Sequence, residues 1–190
     1  MKAVNCTSND LKGLSAEAVI YNLDGSVFQT KSAKLDCAAN SVQECMTLFE
    51  GKDESLSNIH FIKLALNSSG KLLSSNFYWR SKAEWKYADL QNMKRAEVTC
   101  EVGAVKDGEF SVDVSNLTSG IALLIRFKLV DPATGLLLAP VLYSDNYFSL
   151  SPNESRRINI SLERVQPRRA AKFVVQGWNI ATAELADVNV

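Results

Sequence analysis

Acid–base catalysis in this chain would have to start from its single histidine, His60. A hydroxyl or thiol nucleophile needs such a base within hydrogen-bond reach, itself oriented by a third group. His60 lies inside an apolar strand pattern, with Phe61 and Ile62 after it, which is typical of a residue at the edge of a core. The sequence also contains no GxSxG, HExxH or glycine-rich phosphate loop. We therefore predict no catalytic residue and no cofactor in this chain.

Paired carboxylates are the second chemistry to consider, because two of them flanking a glycosidic bond can cleave it. With 21 acidic residues, some pair at a plausible spacing arises by chance. Asp24 and Asp131 stand at turn positions, where a short acceptor side chain binds the local backbone. Asp145 precedes Asn146 and Tyr147 where a strand begins. We therefore expect Asp145 to hold a loop in place.

Aromatic side chains offer a binding chemistry instead. Phe77, Tyr78 and Trp79 are consecutive, so on a strand at least one must point outward or toward the next domain. Exposed rings can stack on the apolar C–H surface of sugars. The alternative is that these rings pack the cores and the seam between domains. The other large aromatics of this set are Trp85, Tyr87, Tyr143, Tyr147 and Trp178.

Composition excludes several classes of partner. Lys+Arg and Asp+Glu both number 21, so the net charge is zero, and nothing indicates a nucleic-acid partner. The longest apolar run, 136–142, is interrupted by Pro140 and is too short to span a bilayer. No apolar segment follows Lys2, so the start is not a signal peptide. The chain is either cytosolic or an internal piece of a longer exported protein.

The cysteines give no metal signature, because no CxxC pair exists and none lies near the histidine. We predict no metal site. Two disulfides are conceivable in an oxidising compartment, but we expect small apolar residues on strands. The four cysteines are Cys6, Cys37, Cys45 and Cys100.

Hydrophobic alternation must position any site, and it predicts strands throughout. Residues 14–20 are followed by Asp24-Gly25, a hairpin signal, and a strand restarts at Val27. Alternation recurs at 110–115, 157–162 and 173–177. Helical periodicity is poor. We interpret 81–93 as a linker containing one helical turn.

An internal repeat indicates two domains. At a constant offset of 65, residues 60–73 and 125–138 share five identities, and each segment has a glycine-terminated turn. Asn5-x-Thr7 and Asn116-x-Thr118 likewise open the two halves. We interpret this order as a duplication. The predicted fold class is all-β, two tandem immunoglobulin-like β-sandwich domains, residues 1–84 and 85–190.

Several motifs together resemble the C-terminal end of family 2 glycoside hydrolases, in the branch of β-mannosidases and exo-β-D-glucosaminidases. The resemblance covers about residues 3–180, and its most specific part is the stretch from Tyr143 to Leu150. At one point the chain departs from the family pattern: Asn153 stands where the family has glycine in a turn, a position that asparagine tolerates. The matching motifs are Phe61-Ile62-Lys63-Leu64, Asn76-Phe77-Tyr78-Trp79, Ile125-Arg126-Phe127-Lys128-Leu129-Val130-Asp131, Tyr143-Ser144-Asp145-Asn146-Tyr147-Phe148-Ser149-Leu150 and Gly177-Trp178-Asn179.

The resemblance implies a division of labour. In that branch the catalytic glutamates lie on a (β/α)₈ barrel, and two further immunoglobulin-like sandwiches follow it. This chain matches only those two sandwiches, so no residue here inherits a catalytic role. The implied partner is the barrel of a parent enzyme, which we expect to be periplasmic or secreted. Residues expected at the substrate cleft or between domains are Asp145, Asn146, Tyr147, Trp79 and Trp178.

Three functions follow as hypotheses. The first is a non-catalytic accessory region that supports the barrel and lines its cleft. The second is an independent carbohydrate-binding module that uses Trp79, Trp85 or Trp178 as a stacking platform. The third is a structural or adhesive tandem sandwich at a cell surface.

Overall fold

The computed structural model describes residues 1–49, 54–83, 86–162 and 170–189. The chain divides into two compact units, Met1–Asn92 and Met93–Val190. The boundary predicted from the sequence, between 84 and 85, falls on residues outside the described ranges. The turn predicted in the linker is a 3₁₀ helix, Ala88–Asn92.

Within the described residues, the first unit contains six strands in two antiparallel sheets. A four-stranded sheet has the order β3-β2-β5-β6, and a two-stranded sheet pairs β1 with β4. The predicted hairpin at Asp24-Gly25 joins β2 to β3, and the Ser26 amide donates to Asp24 Oδ1 at 2.9 Å. The strands are β1 (Lys2–Asn5), β2 (Leu11–Asn22), β3 (Val27–Cys37), β4 (Ser41–Glu44), β5 (Ile59–Ser68) and β6 (Lys71–Ser81).

The described part of the second unit contains eight strands in two four-stranded antiparallel sheets, with orders β10-β12-β8-β7 and β11-β9-β13-β14. Its strands are β7 (Val98–Val102), β8 (Glu109–Asn116), β9 (Ala122–Val130), β10 (Leu142–Tyr143), β11 (Phe148–Leu150), β12 (Ser155–Ser161), β13 (Ala170–Gln176) and β14 (Ala183–Asn189).

Alternation decides which faces of the second unit are buried. Along β8 every second side chain, beginning with Phe110, is buried, and β9 and β12 supply matching apolar residues. Phe173 on β13 lies at the centre, with its ring 5.1 Å from Phe110 and 5.2 Å from Phe127 between centroids. Because these rings come from both sheets, the core lies between the sheets. Burying each such side chain contributes about 1.5–3 kcal/mol. The predicted pair of immunoglobulin-like sandwiches is confirmed.

The repeat at an offset of 65 is wrong as an alignment of strands. Residues 60–73 form β5 and the start of β6, whereas residues 125–138 begin on β9. By position in its sheet, β9 corresponds to β2, and β13 corresponds to β5. The offset is misleading because a hairpin commonly consists of two apolar strands joined by a turn that contains glycine. Two hairpins that are not equivalent in the fold can therefore resemble each other in sequence. Glycine is needed at both turns, since φ is +79° at Gly70 and +69° at Gly135.

The two Asn-x-Thr motifs are the true structural repeat. Asn5 and Asn116 are both buried, and each is the last residue of a strand, Asn5 of β1 and Asn116 of β8. The Asn116 Nδ2 group donates to Gly120 O, Leu150 O and Ser151 O at 2.8–3.2 Å, and Oδ1 accepts from the Thr118 amide and hydroxyl at 3.1 and 2.6 Å.

Asn5 makes the same set of bonds in the first unit. Its Nδ2 group donates to Asn9 O, Cys37 O and Ala38 O, and its Oδ1 accepts from the amide and hydroxyl of Thr7. Each asparagine therefore joins the end of one strand to the loop after it and to a distant strand. Both side chains are structural, which explains why the motif recurs.

The cysteines follow the prediction only in part. Cys37 is buried at the end of β3 and Cys100 lies on β7, as expected for small apolar residues. Cys6 and Cys45 lie just outside strands, and Cys6 is exposed. All four thiols are free.

Candidate functional site

The loop between β10 and β11 carries three of the predicted site residues, and its geometry begins with Asn146. The Asn146 side chain accepts from the Phe127 amide at 2.9 Å and donates to the Phe127 carbonyl at 3.1 Å. It thereby imitates a paired strand residue and continues the β11–β9 ladder beyond its last backbone pair, Phe148 with Ile125. Asn146 is therefore a positioning residue for this loop.

Asp145 secures the other side of the loop. Its Oδ1 accepts from the Asn146 amide at 2.8 Å, and its Oδ2 lies 2.7 Å from Arg156 Nη1. The Arg156 guanidinium also lies 5.0 Å from the ring centroid of Phe148 and 3.5 Å from Glu154 Oε1. These contacts fasten the loop to β12, which belongs to the opposite sheet. The expectation that Asp145 holds a loop is consistent with this geometry.

Two carboxylates near this loop, those of Asp145 and Glu154, share one cationic partner. Both carboxylates contact Arg156, and Glu154 Oε2 also accepts from the Ser151 amide at 2.8 Å. The arrangement therefore anchors a loop.

Tyr147 is the residue that this anchored loop presents to solvent. Its side chain is 57% exposed, and its backbone has φ of +59°, a left-handed conformation that a bulky residue rarely adopts. The Arg126 guanidinium lies 5.2 Å from the centroid of the Tyr147 ring. Such a cation–π contact contributes about 0.5–1 kcal/mol at an exposed site. An exposed aromatic ring on a left-handed backbone makes Tyr147 a candidate contact residue.

Trp178 lies against the same strand as Tyr147. The Trp178 amide donates to the Leu123 carbonyl at 2.9 Å, and its side chain is 55% exposed. Gly177 permits this approach, since a Cβ there would lie 2.7 Å from Ile180 Cδ1 and 3.0 Å from the Leu123 carbonyl oxygen. Asn179 completes the anchor, because its side chain bonds both the amide of Leu123 and the carbonyl of Ile121.

The structure therefore brings three predicted residues, Asn146, Tyr147 and Trp178, to β9, and it joins Asp145 to Arg156 on β12. Trp79 lies in the other unit, on β6, where it is 40% exposed and its neighbour Tyr78 is 45% exposed. Phe77 stacks on Phe61 with ring centroids 5.8 Å apart. The prediction that part of the Phe77–Trp79 run points outward is confirmed. Trp85 lies outside the described residues.

Sequence reasoning missed the two arginines of the site. Arg126 alternates with the buried Ile125 and Phe127 on β9, so the alternation itself assigns it to the face away from the core. Arg156 instead shares the core-facing side of β12 with Ile158 and Ile160, at the beginning of the strand, and packs its guanidinium against Phe148. An arginine at a core-facing position is the signal that could have found Arg156.

The left-handed turn predicted at Asn153 is confirmed, with φ of +58°. Its side chain is exposed, and the turn leads directly into β12 and Arg156. The asparagine at this position therefore keeps a left-handed turn, although the family pattern has glycine there.

Burial shifts the pKa of several groups outside the loop. It lowers the pKa of His60 below its ordinary value of 6.5, raises the pKa of Tyr143 to about 12 and raises the pKa of the Cys100 thiol to about 11. His60 is buried against Phe49, with ring centroids 5.6 Å apart. The neutral forms of these groups are thus favoured, as expected of packed side chains.

Among the described residues, no group of three or more His, Cys, Asp or Glu side chains is arranged to hold a metal ion. In the same ranges no helix is long and apolar enough to cross a membrane.

Comparison with known proteins places this geometry in a family. Residues 76–180 match the model of the exo-β-D-glucosaminidase Ig-fold domain. Exo-β-D-glucosaminidases of Streptomyces avermitilis and Arthroderma benhamiae are 31% and 28% identical to this chain over 94% and 91% of its length. The crystal structure of the Amycolatopsis orientalis exo-chitosanase CsxA superposes with a TM-score of 0.73 at 26% identity, covering 97% of this chain and 25% of that one.

The chain spans 23% and 21% of the length of those two curated relatives, so it corresponds to a small part of each. The matched region includes all of the second unit's loop from β10 to β11 and the Gly177-Trp178-Asn179 turn. The family model also covers more than half of the chain. The chain therefore belongs to the family of exo-β-D-glucosaminidase Ig-fold domains.

Proposed function

We propose that this chain is the non-catalytic C-terminal accessory region of a family 2 glycoside hydrolase of the exo-β-D-glucosaminidase type. In this proposal it packs against the catalytic barrel of the parent enzyme, and its second unit presents Tyr147 at the rim of the substrate cleft. Support comes from relatives that are named exo-β-D-glucosaminidases and that this chain matches over about a fifth to a quarter of their length.

The presentation of Tyr147 is the observation that carries the cleft part of the proposal. Three neighbours hold the ring out: Asn146 pins the loop to β9, Asp145 pins it to Arg156, and Arg126 supports the ring. More than half of the tyrosine remains exposed. A sugar ring offers apolar C–H surface to such an aromatic face, and its hydroxyl groups can accept from a nearby guanidinium.

Trp178 extends the same surface along β9. The Trp178 amide contacts Leu123, and the Tyr147 ring contacts Arg126. Leu123 and Arg126 are three residues apart on β9. A polymeric substrate that leaves the cleft would meet both rings, whereas a short substrate would not reach them. The proposed role is therefore binding of the distal part of a chain of sugars.

Packing against the barrel is assigned to the turn that follows β9. Leu136 and Leu137 are adjacent in this turn and are 68% and 56% exposed. The turn is rigid for its size, because Asp131 Oδ1 accepts from the amides of Ala133 and Thr134. Adjacent exposed leucines on a fixed turn are suited to burial in a partner surface.

The test of the cleft role is the kinetics of Tyr147→Ala in the parent enzyme, measured with a glucosamine oligosaccharide and with a small aryl glucosaminide. Loss of a stacking contact of about 0.5–1.5 kcal/mol raises KM for the oligosaccharide about 2- to 12-fold. KM for the aryl substrate is expected to stay unchanged. Tyr78→Ala is the matched control, since Tyr78 is a comparably exposed tyrosine in the other unit. An unchanged KM for the oligosaccharide at an unchanged melting temperature would refute the proposed contact.

A further inference from the structure

The two units differ at one sheet edge, and the Asn-x-Thr motif shows where. Asn5 ends β1 and Asn116 ends β8, and both make the same set of hydrogen bonds. The strands are therefore equivalent, and Val4 in β1 corresponds to Ser115 in β8. Their partners agree, since Val4 pairs with Val42 on β4 and Ser115 pairs with Ser155 on β12.

In the second unit β8 is flanked on both sides. It pairs with β12 on one side and with β7 on the other, where Thr99 lies opposite Ser115. In the first unit, β1 pairs within the described residues with β4 alone. The edge of β1 that corresponds to the β7 side of β8 is therefore open.

The hydrogen-bond pattern identifies which groups of β1 face this open edge. The Met1 carbonyl accepts from the Cys45 amide at 3.0 Å, so Met1 faces the β4 side. In an antiparallel strand the backbone groups of successive residues point to opposite sides. Ala3 and Asn5 therefore face β4, whereas the N–H and C=O groups of Lys2 and Val4 face outward. The side chain of Val4 is 62% exposed.

We propose that an extended strand of further polypeptide from the parent enzyme pairs antiparallel with this edge of β1. The strand β7 shows what such a segment must be: Val98, Cys100 and Val102 pack against the core, and Thr99 and Glu101 face outward. The donor is thus apolar at alternate positions. An acidic residue opposite the exposed Lys2 complements its charge.

Assignment of the donor to the parent enzyme rests on the proposed function, because the curated relatives are several times longer than this chain. The open edge itself does not depend on that function. Unpaired strand edges are templates for another strand, and natural proteins usually cover or block them. Here the exposed apolar side chain of Val4 lies on the strand that forms this edge, so the edge is not blocked by a charge at that position.

Amide hydrogen exchange tests the proposal in the full natural polypeptide and in the isolated 190-residue chain. The Lys2 and Val4 amides are expected to exchange at least about 10-fold more slowly in the full polypeptide, since a paired amide exchanges only when its strand opens. The Ala3 and Asn5 amides, which face β4, are the internal control and are expected to be slow in both. Equal rates for Lys2 and Val4 in both samples overturn the proposal. So does protection in the isolated chain that accompanies a dimeric mass, because the occupant is then a second copy.

A pair of proline variants separates the two edges. In the full polypeptide, Val4→Pro removes an outward N–H and is expected to speed exchange at Lys2 at least about 10-fold. Val42→Pro is the matched control, because the equivalent Ser155 lies beyond the pairing on the β10 side, which reaches Ser161, Ile160 and, through the Ser144 amide, the Asn159 carbonyl. Equal effects of the two prolines contradict the proposal.

Hydrolysis of a glucosamine oligosaccharide by the same full polypeptide is measured alongside. Hydrolysis with a freely exchanging edge overturns the strand proposal alone. A protected edge without hydrolysis confirms the strand and overturns the proposed function.

Discussion

Replacement of Asn116 by alanine is expected to be among the most destabilising single changes in the second unit. The side chain is fully buried and bonds three carbonyl groups and the Thr118 amide and hydroxyl. Alanine removes all of these bonds at once. The carbonyls of Leu150 and Ser151 are then left in a buried environment without the amide that they accept from.

The magnitude follows from counting the bonds. Each hydrogen bond contributes about 1 kcal/mol net, and each buried group left unpaired costs about 1–3 kcal/mol. The five lost bonds therefore cost about 5 kcal/mol in the free energy of unfolding, before any penalty for the unpaired carbonyls. For a unit of this size, 1 kcal/mol lowers the melting temperature by about 4 °C or more, so a decrease of at least about 20 °C is expected.

Thermal unfolding followed by circular dichroism measures this effect, with two graded variants beside it. Thr118→Val removes the hydroxyl that donates to Asn116 Oδ1 and lies 3.5 Å from the Gly120 carbonyl oxygen, and it is expected to cost about 1 kcal/mol. Asn159→Ala is the matched control, because this asparagine is exposed on β12 and is expected to change stability by less than about 0.5 kcal/mol. If Asn116→Ala melts within a few degrees of Asn159→Ala, the structural role assigned to the motif is incorrect.

Three further predictions concern packing and titration. Gly177→Ala places a Cβ 2.7 Å from Ile180 Cδ1 and is expected to lower the free energy of unfolding by about 1–3 kcal/mol, measured by urea denaturation; an unchanged midpoint would contradict the close approach. Burial lowers the pKa of His60 in the folded chain, so the unfolded chain binds the proton of this histidine more tightly. The contribution of His60 to the free energy of unfolding is therefore fully present above pH 6.5 and is lost as the pH falls below 6.5. His60→Phe is expected to flatten the decline of melting temperature between pH 7 and 5, and an identical slope in both proteins would refute this. Burial raises the pKa of the Cys100 thiol to about 11, so iodoacetamide at pH 8 should modify the exposed Cys6 first, as read by peptide mass mapping; equal rates would refute the burial.

Alternation was sufficient to predict most of the fold. Strands such as β8 and β12 bury every second residue, so their period of two is visible in the sequence. The Asp24-Gly25 hairpin was predictable because its turn chemistry is local. The internal repeat indicated two domains, and the family resemblance implied the same immunoglobulin-like type for both, which alternation alone does not determine.

Features that depend on distant contacts could not be predicted. The offset of 65 matched β5 to β9, although the order of strands within the two sheets makes β2 the equivalent of β9. Likewise, the role of Asn146 depends on Phe127, 19 residues away in sequence, and that of Asp145 depends on Arg156. Such pairs are brought together by the sandwich topology, and no local pattern in the sequence marks them.

Hydrolysis of glucosamine oligosaccharides by the full natural polypeptide and by the isolated 190-residue chain tests the account most directly. The account predicts release of glucosamine by the full polypeptide and none by the isolated chain, since the catalytic carboxylates are assigned to a separate barrel. Release of glucosamine by the isolated chain, or a full polypeptide with no glycosidase activity, would contradict it.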